Sequence, residues 1–542
     1  MPLGTARFFM YLVQTKPGFP LKAQRVYKRK LSIDMENDRM KKQRIEFVFL
    51  LILAASLYVL FFTGAGYFWK LACAGLYAFI ILVSIYSLIL ENRTSHHTLL
   101  WIYVLIFIPV AGYMFYLYSG QLYLKGYLFR TKRSNDREQW KRMMKRKDSP
   151  DLTFLQDNQQ NFARFAANAS MTPISTSSKA EMLKNGEETF EELKARLKKA
   201  KKFIHIQYYI FRSDRLGKEI IDILIEKAEA GVEVLFMYDA AGSMKMAVNE
   251  IKRMEEAGIK VHCFLPLKFG FFNQKINFRN HRKIVVIDGE TGFVGGLNVG
   301  IEYLGEDEAM GFWRDTHMVL EGEAVYTLHT VFLLDWEYVS REQVLDKYSV
   351  SDRPADEDEI NGAIQVVASG PDTQQGIMGD FFYSMITSAE RSIWIATPYF
   401  VPNEAIRTAL RVAAAKGVEV RIMVPEKNDS FLTQYASRSY FSELLKYGVE
   451  VYSYQKGFLH QKIIIADGNM ASVGTANMDM RSFHLNFEVN VFLLGCSSIR
   501  DLSAHFEEDM RDSVRITPVQ YYKRGLWERT KESFSRLFSG VL

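Results

Sequence analysis

The chain has 542 residues, 48% of them hydrophobic, and a formal net charge of +6. That length holds more than one core, and a modest charge with no dominating basic domain speaks against a nucleic-acid binder. Cys73, Cys263 and Cys496 are too scattered for a disulfide framework or a zinc site and read as reduced residues of core or membrane.

Residues 1–46 form a basic arm with eleven Lys or Arg against four acidic residues. Such an arm is solvated and, beside a bilayer, attracts anionic lipid. Met40, with the basic cluster and apolar run after it, reads as another start site or imitates a signal peptide, but the apolar region runs on too far for a cleaved signal. A transmembrane region is expected over 47–120, with apolar stretches at 47–69, 71–90 and 99–118 separated by Lys70 and by the polar run Glu91 to Thr98. Each is near the ~20 residues a crossing needs, and they almost lack the polar face of a soluble helix. The arm and the basic run Arg130 to Lys147, inside a basic linker at 121–153, both ask for the cytoplasmic side. Three crossings cannot satisfy both, so either one stretch is re-entrant or interfacial or the arm is not in the mature protein. The large C-terminal part is placed in the cytoplasm.

From 154 to 346 the pattern becomes α/β. Phe203 to Phe211 reads as a strand, Lys218 to Ala230 as a helix closed by Gly231, and Val232 to Tyr238 as the next strand. After an acidic linker at 347–360, a second domain at 361–515 repeats the order: strand Ile393 to Tyr399, helix Glu404 to Lys416 closed by Gly417, strand Val418 to Val424. Gly258 and Gly448 then end helices before the motifs below. The first half carries an extra loop, Pro266 to Phe278, rich in Phe and Lys. In the tail, 516–542, Leu526, Trp527, Thr530, Phe534, Leu537 and Phe538 fall near one helical face. That tail reads equally as a basic amphipathic helix on a bilayer or as a helix packed on the domain.

Each half carries one copy of a motif. His281, Lys283, Asp288, Gly295 and Asn298 fit His-x-Lys-x4-Asp-x6-Gly-x2-Asn, and so do His460, Lys462, Asp467, Gly474 and Asn477, without a gap. Two gapless copies mean an internal duplication and suggest two halves of one site. His and Lys at i and i+2 of a strand face one way, and the apolar run after them reads as buried strand. The set suits a phosphate: Lys283 and Lys462 neutralise charge, Asn298 and Asn477 donate to oxygens, and His281 and His460 attack phosphorus or move a proton. Asp288 and Asp467 precede Gly at a strand end, which is also an ordinary turn signal. Asp315 and Glu488 are candidates to orient the imidazoles, Asp315 lying further from its motif than Glu488 from its own. Tyr209, Tyr399 and Arg481 are candidates to line the pocket. No metal or other cofactor is called for, since two lysines supply the charge.

The paired motif resembles the HKD motif of the phospholipase D superfamily. Its flanks, His205 to Phe211, Thr397 to Pro402 and Asn477 to Ser482 with Asn486 to Asn490, resemble those of bacterial cardiolipin synthases. The resemblance implies N-terminal membrane helices followed by two tandem α/β sandwich domains sharing one active site. It implies a covalent phosphohistidine, favours His281 as nucleophile where the residues alone do not rank the two, and gives Asp288 and Asp467 a supporting place in the catalytic set. The expected activity is a phosphatidyltransferase in a bacterial cell membrane, multi-pass, joining two phosphatidylglycerols into cardiolipin and releasing glycerol. A phospholipase D hydrolase and, further off, a membrane-bound HKD nuclease are the alternatives. The expected partners are phospholipid and bilayer, with no nucleic acid; the oligomeric state is left open.

Overall fold

The computed structural model describes residues 47–90, 95–116, 128–144, 150–266, 277–308, 310–348, 362–373, 376–540 and 542. The basic arm 1–46 and most of both the Pro266 to Phe278 loop and the acidic linker lie outside them. The chain falls into two compact units, Met1–Leu124 and Lys125–Leu542.

The first unit corrects the boundaries expected from hydropathy. Its helices are Phe47–Phe62, Tyr67–Leu90, Ser95–Phe107 and Pro109–Phe115. The first break falls at Thr63 to Gly66, where two glycines weaken the helix, and a lone Lys70 is carried inside the next one. The stretch expected at 99–118 is split at Pro109, which brings no N–H and opens a new helix at its first position. Among the described residues only Tyr67–Leu90, with 24 residues, is long and apolar enough to cross a membrane.

The second unit is built on two mixed sheets. Its first half holds β1 (Ile174–Ser175), β2 (Ser178–Lys184), β3 (Phe203–Tyr208), β4 (Glu233–Asp239), β5 (Lys260–Phe264), β6 (Ile284–Ile287), β7 (Thr291–Gly295), β8 (Trp313–Arg314) and β9 (Thr316–Gly322). The second holds β10 (Ala363–Ser369), β11 (Ser392–Ala396), β12 (Phe400–Val401), β13 (Glu419–Pro425), β14 (Glu450–Tyr454), β15 (Phe458–Leu459), β16 (Ile463–Ala466), β17 (Met470–Gly474), β18 (Met478–Asp479), β19 (Glu488–Leu494) and β20 (Ser513–Arg515).

One sheet runs β2-β9-β7-β6-β3-β4-β5, and the other runs β10-β19-β17-β16-β11-β13-β14 with β1 and β20 added at its edges. The seven-strand order is the same in both, so the duplication seen in the motifs extends to the topology. In each half a helix links the two parallel strands, Arg215–Glu229 before β4 and Glu404–Ala415 before β13. Gly231 and Gly417 end these turns at φ +89° and +93°, a conformation that costs any other residue. Strands β7 and β9 pack on β17 and β19, so the two sheets share an inner face.

Two segments sit differently from the sequence reading. The helix Asp157–Ala169 and β1, expected in the first domain, belong to the second sheet: β1 pairs with β10, and Phe162 and Ala166 join the second core. The basic linker holds a helix, Arg130–Met144, whose Lys132 is buried. Its ammonium lies 2.6 Å from Asp136, 2.7 Å from Asp372 and 3.0 Å from Asp335, and Asp335 also takes Arg282 at 2.7 Å.

Candidate active site

The residues of each motif leave the fold at equivalent places. His281 and Lys283 stand just before β6, and His460 and Lys462 just before β16, the middle strands of their sheets. They are extended chain outside the sheet ladder, not strand residues as expected. Each segment is bound instead by the opposite half. The His281 N–H donates to the Phe487 carbonyl (2.9 Å) and the Phe487 N–H to Arg279 (2.8 Å); β15 pairs in parallel with β8, and the His460 N–H donates to Arg314 (2.8 Å). These two cross-links carry both histidines to one place, where Lys462 acts electrostatically on His281 and Lys283 on His460.

The carboxylates cross over as well. His281 Nδ1 lies 2.8 Å from Glu488 Oε2, and His460 Nδ1 lies 2.6 Å from Asp315 Oδ2. Each histidine is therefore oriented by the other half, not by the carboxylate that follows its own motif. Glu488 further accepts from Thr475 Oγ1 (2.6 Å), Ser482 Oγ (3.0 Å) and Asn486 Nδ2 (3.1 Å). Burial works against its charge, but His281, Lys283 and these donors outweigh it and hold its pKa below the usual carboxylate value. Asp315 is also held low, by Lys462 and His460 against burial. An ionised carboxylate only accepts, so it fixes the hydrogen on Nδ1 and leaves the Nε2 lone pair of each imidazole for chemistry.

A histidine serving as acid and base works best with a pKa near neutrality. Instead His281 is pushed down to about 4, first by burial, with Glu488 opposing and Lys283 adding to the fall. His460 is pushed to about 3 by burial and Lys462, against Asp315. Burial also lowers Lys283 to about 7 and Lys462 to about 8, with carboxylates opposing. Both ammonium groups donate back to the carbonyl of their own histidine, Lys283 at 2.7 Å.

The remaining candidates divide. Tyr209 sets its ring edge-on to His281 at 4.9 Å, and Tyr399 OH donates to Asp429 (2.6 Å), whose carboxyl lies within the field of Lys462. Arg481 donates to the Asn277 carbonyl (2.8 Å). Asn298 accepts from the Ile210 N–H (3.0 Å) and donates to Tyr303 OH (3.1 Å), which leaves one amide hydrogen for a ligand. Asn477 Oδ1 is buried without a hydrogen-bond partner. The motif glycines serve the sheet: a Cβ on Gly295 would strike His317, and one on Gly474 would strike the Val489 carbonyl. Among the described residues no three His, Cys, Asp or Glu side chains are grouped as metal ligands.

Asp288 and Asp467 are not brought to the histidines. They sit at the far end of β6 and β16, seven residues and roughly 23 Å of extended chain from the histidines. Both adopt left-handed turn geometry, φ +56° and +54°. Asp288 accepts the backbone N–H groups of Lys201, Lys202 and Phe203 (2.7 to 2.9 Å), and Asp467 those of Glu390, Arg391 and Ser392 over the same range. They hold the start of β3 and β11 in register. Asp288→Ala is expected to cost about 2 kcal/mol, the worth of charge-assisted bonds at a partly exposed site, and to leave turnover per folded molecule unchanged. Urea unfolding beside an activity assay checks this; lost activity at full stability would return Asp288 to the site.

Two histidines held to one cleft by crosswise carboxylates, each beside a buried lysine, define a phosphoryl-transfer site of the phospholipase D type. The family model described as "Cardiolipin synthase, PLD-like domain" matches residues 193–336 and 382–510, the two halves found here. The chain is 60% identical over 506 residues to a probable cardiolipin synthase, YwiE, of Bacillus subtilis, and 43% identical over 509 residues to a cardiolipin synthase of Halalkalibacterium halodurans. Each match covers 93% of this chain and 100% of the relative. A phosphatidylserine synthase of Haemophilus influenzae shares the fold at TM-score 0.53 and 14% identity, over 70% of this chain and 100% of that one. The chain belongs to the cardiolipin synthase family of phospholipase-D-like enzymes and is a phosphatidyltransferase.

Proposed function

We propose that the site moves a phosphatidyl group from one phosphatidylglycerol to a second, giving cardiolipin and glycerol. The observation that carries this is the pair of crosswise carboxylate–imidazole bonds, which leaves two Nε2 atoms for the two jobs of a double displacement. Nε2 of one histidine attacks phosphorus while the bond to the glycerol oxygen breaks, and the other histidine gives that oxygen a proton. The second histidine then takes the proton from the incoming lipid's glycerol hydroxyl, whose oxygen displaces the first histidine from phosphorus.

The low imidazole pKa values suit the nucleophile, which must be neutral. The acid needs its proton held in the complex. A phosphodiester between Lys283 and Lys462 brings a negative charge that offsets the lysines and raises both imidazoles, so substrate binding itself loads the acid. The proposal also takes 47–116 as the membrane anchor, since Phe61, Phe62, Tyr67 and Phe107 expose bare apolar surface there. An anchored site presents a lipid hydroxyl at an effective concentration that, for well-oriented groups, reaches the order of 10⁵ M, which lets it compete with water.

In phosphatidylglycerol bilayers, labelled substrate is expected to give cardiolipin and free glycerol in equal amounts with little phosphatidic acid. Chromatography of the lipid products checks it. Mainly phosphatidic acid would make the enzyme a hydrolase and overturn the reading.

A further inference from the structure

The C-terminal helix Leu526–Arg536 is docked with its polar side inward. Its buried residues are Glu532 and Ser535. Glu532 takes both arms of Arg524 at 2.9 Å, Lys531 reaches Tyr435 OH at 3.2 Å, and Arg536 lies 4.7 Å over the Tyr440 ring, both tyrosines on the helix Phe431–Leu445. The opposite arc carries Leu526, Trp527, Phe534 and, one residue on, Leu537, which are 80%, 71%, 53% and 70% exposed. At 100° per residue these four fall within about one third of the helix circumference. A helix belonging only to a water-soluble domain buries such a stripe.

The placement ties this arc to the catalytic cleft. The chain end returns to the site wall, where the Arg481 N–H donates to the Leu542 carbonyl at 2.9 Å. Exposed apolar side chains also stand soon after β4 and β13, at equivalent ends of the two halves, Met244 on a turn and Phe431 as the first residue of the helix Phe431–Leu445. Met244 follows Ser243, whose hydroxyl donates to the carbonyl of Tyr209 (3.0 Å), the residue packed on His281. Phe431 follows Asp429, the partner of Tyr399.

We propose that this face, made of the Leu526–Leu537 arc with Met244 and Phe431 at the rim, docks on the headgroup layer of a bilayer that carries anionic lipid. Charge complementarity selects that occupant. Lys523 and Arg529 are exposed beside the arc, while Glu528 is paired with Lys531. Two copies of the chain meeting through this face would bring like charges together, whereas anionic headgroups complement them. Trp527 and Tyr522, 71% and 52% exposed, are amphipathic rings of the kind that settle at such an interface. The proposal takes from the proposed function only that the substrate lies in a bilayer.

The test uses the full chain with Cys73, Cys263 and Cys496 replaced, Leu537→Cys labelled with an environment-sensitive fluorophore, and one copy per phosphatidylglycerol nanodisc. The expected result is blue-shifted emission that a nitroxide on the lipid headgroup quenches, and that weakens with Lys523→Glu/Arg529→Glu or in phosphatidylcholine discs. Emission like that of a water-exposed probe overturns the proposal. A shift seen only with several copies per disc means a second copy covers the face, and a shift without quenching means another part of the chain does; either overturns it. The probe reads position and not turnover, so a failed lipid assay leaves this result standing, and the reverse.

Discussion

His281→Ala and His460→Ala are each expected to lower turnover by at least about 10⁴-fold, because the two residues act as one unit in a double displacement. Neither replaces the other. The attacking Nε2 forms the covalent bond, and the partner must give and then take a proton across the same phosphorus atom. Both imidazoles are nearly buried and each is bound to a carboxylate of the opposite half, so neither ring is free to take the other's place. The variants differ with a phosphodiester whose leaving group needs no proton. Loss of the acid then spares the first step, while loss of the nucleophile does not, and a burst of released leaving group in only one variant identifies the nucleophile. Near-normal turnover of phosphatidylglycerol by either variant would show that the halves do not share a site. Unfolding curves like that of the parent protein are the control that the cleft is intact.

The sequence spoke clearly where the signal is local. The strand–helix–strand order, Gly231, Gly417 and the gapless motif all depend on spacing within one half, and the two sheets follow it. What could not be read locally is how the halves meet. Glu488 turns to His281 and Asp315 to His460 because Phe487 and Arg314 bind the opposite motif segments, contacts of about 150 to 200 positions' separation that no periodicity encodes. Thr475, Ser482 and Asn486, which accompany Glu488 in the second half, lie close to it in sequence, and their crowding after the second motif was a usable hint. Asp288 and Asp467 were drawn toward the site by resemblance, while their Asp-Gly turn pointed to the fold. The basic run Arg130 to Lys147 reads as part of a linker because, of the three carboxylates around Lys132, only Asp136, four residues on, lies nearby in sequence.

Lys132→Met is expected to destabilise the second unit by about 3 to 5 kcal/mol, the loss typical when one partner of a buried ion cluster is removed. Burial alone would strip the proton from Lys132, but Asp136, Asp372 and Asp335 outweigh it and keep the ammonium charged. Without that ammonium, Asp335 keeps Arg282, Gln207 and Asn280, and Asp372 has Arg282 at 4.0 Å. Burial already raises Asp136 to about 7, with Lys132 pulling it down and Asp372 pushing it further up. Asp335, by contrast, is lowered to about 2, because Arg282 and Lys132 outweigh its burial. Removing Lys132 takes away a cause that lowers Asp136 and Asp335, so the folded-state pKa of Asp136 rises further. A folded-state pKa above the unfolded one means the native state holds extra protons, so stability falls as pH rises from about 4 through that raised value. The loss relative to the parent protein is therefore larger at pH 8 than at pH 5, and Asp372→Asn, which removes one buried charge, should return part of it. Urea midpoints for parent, single and double variants at the two pH values measure this. An equal loss at both, with no recovery in the double variant, would mean that Lys132 acts through packing rather than charge.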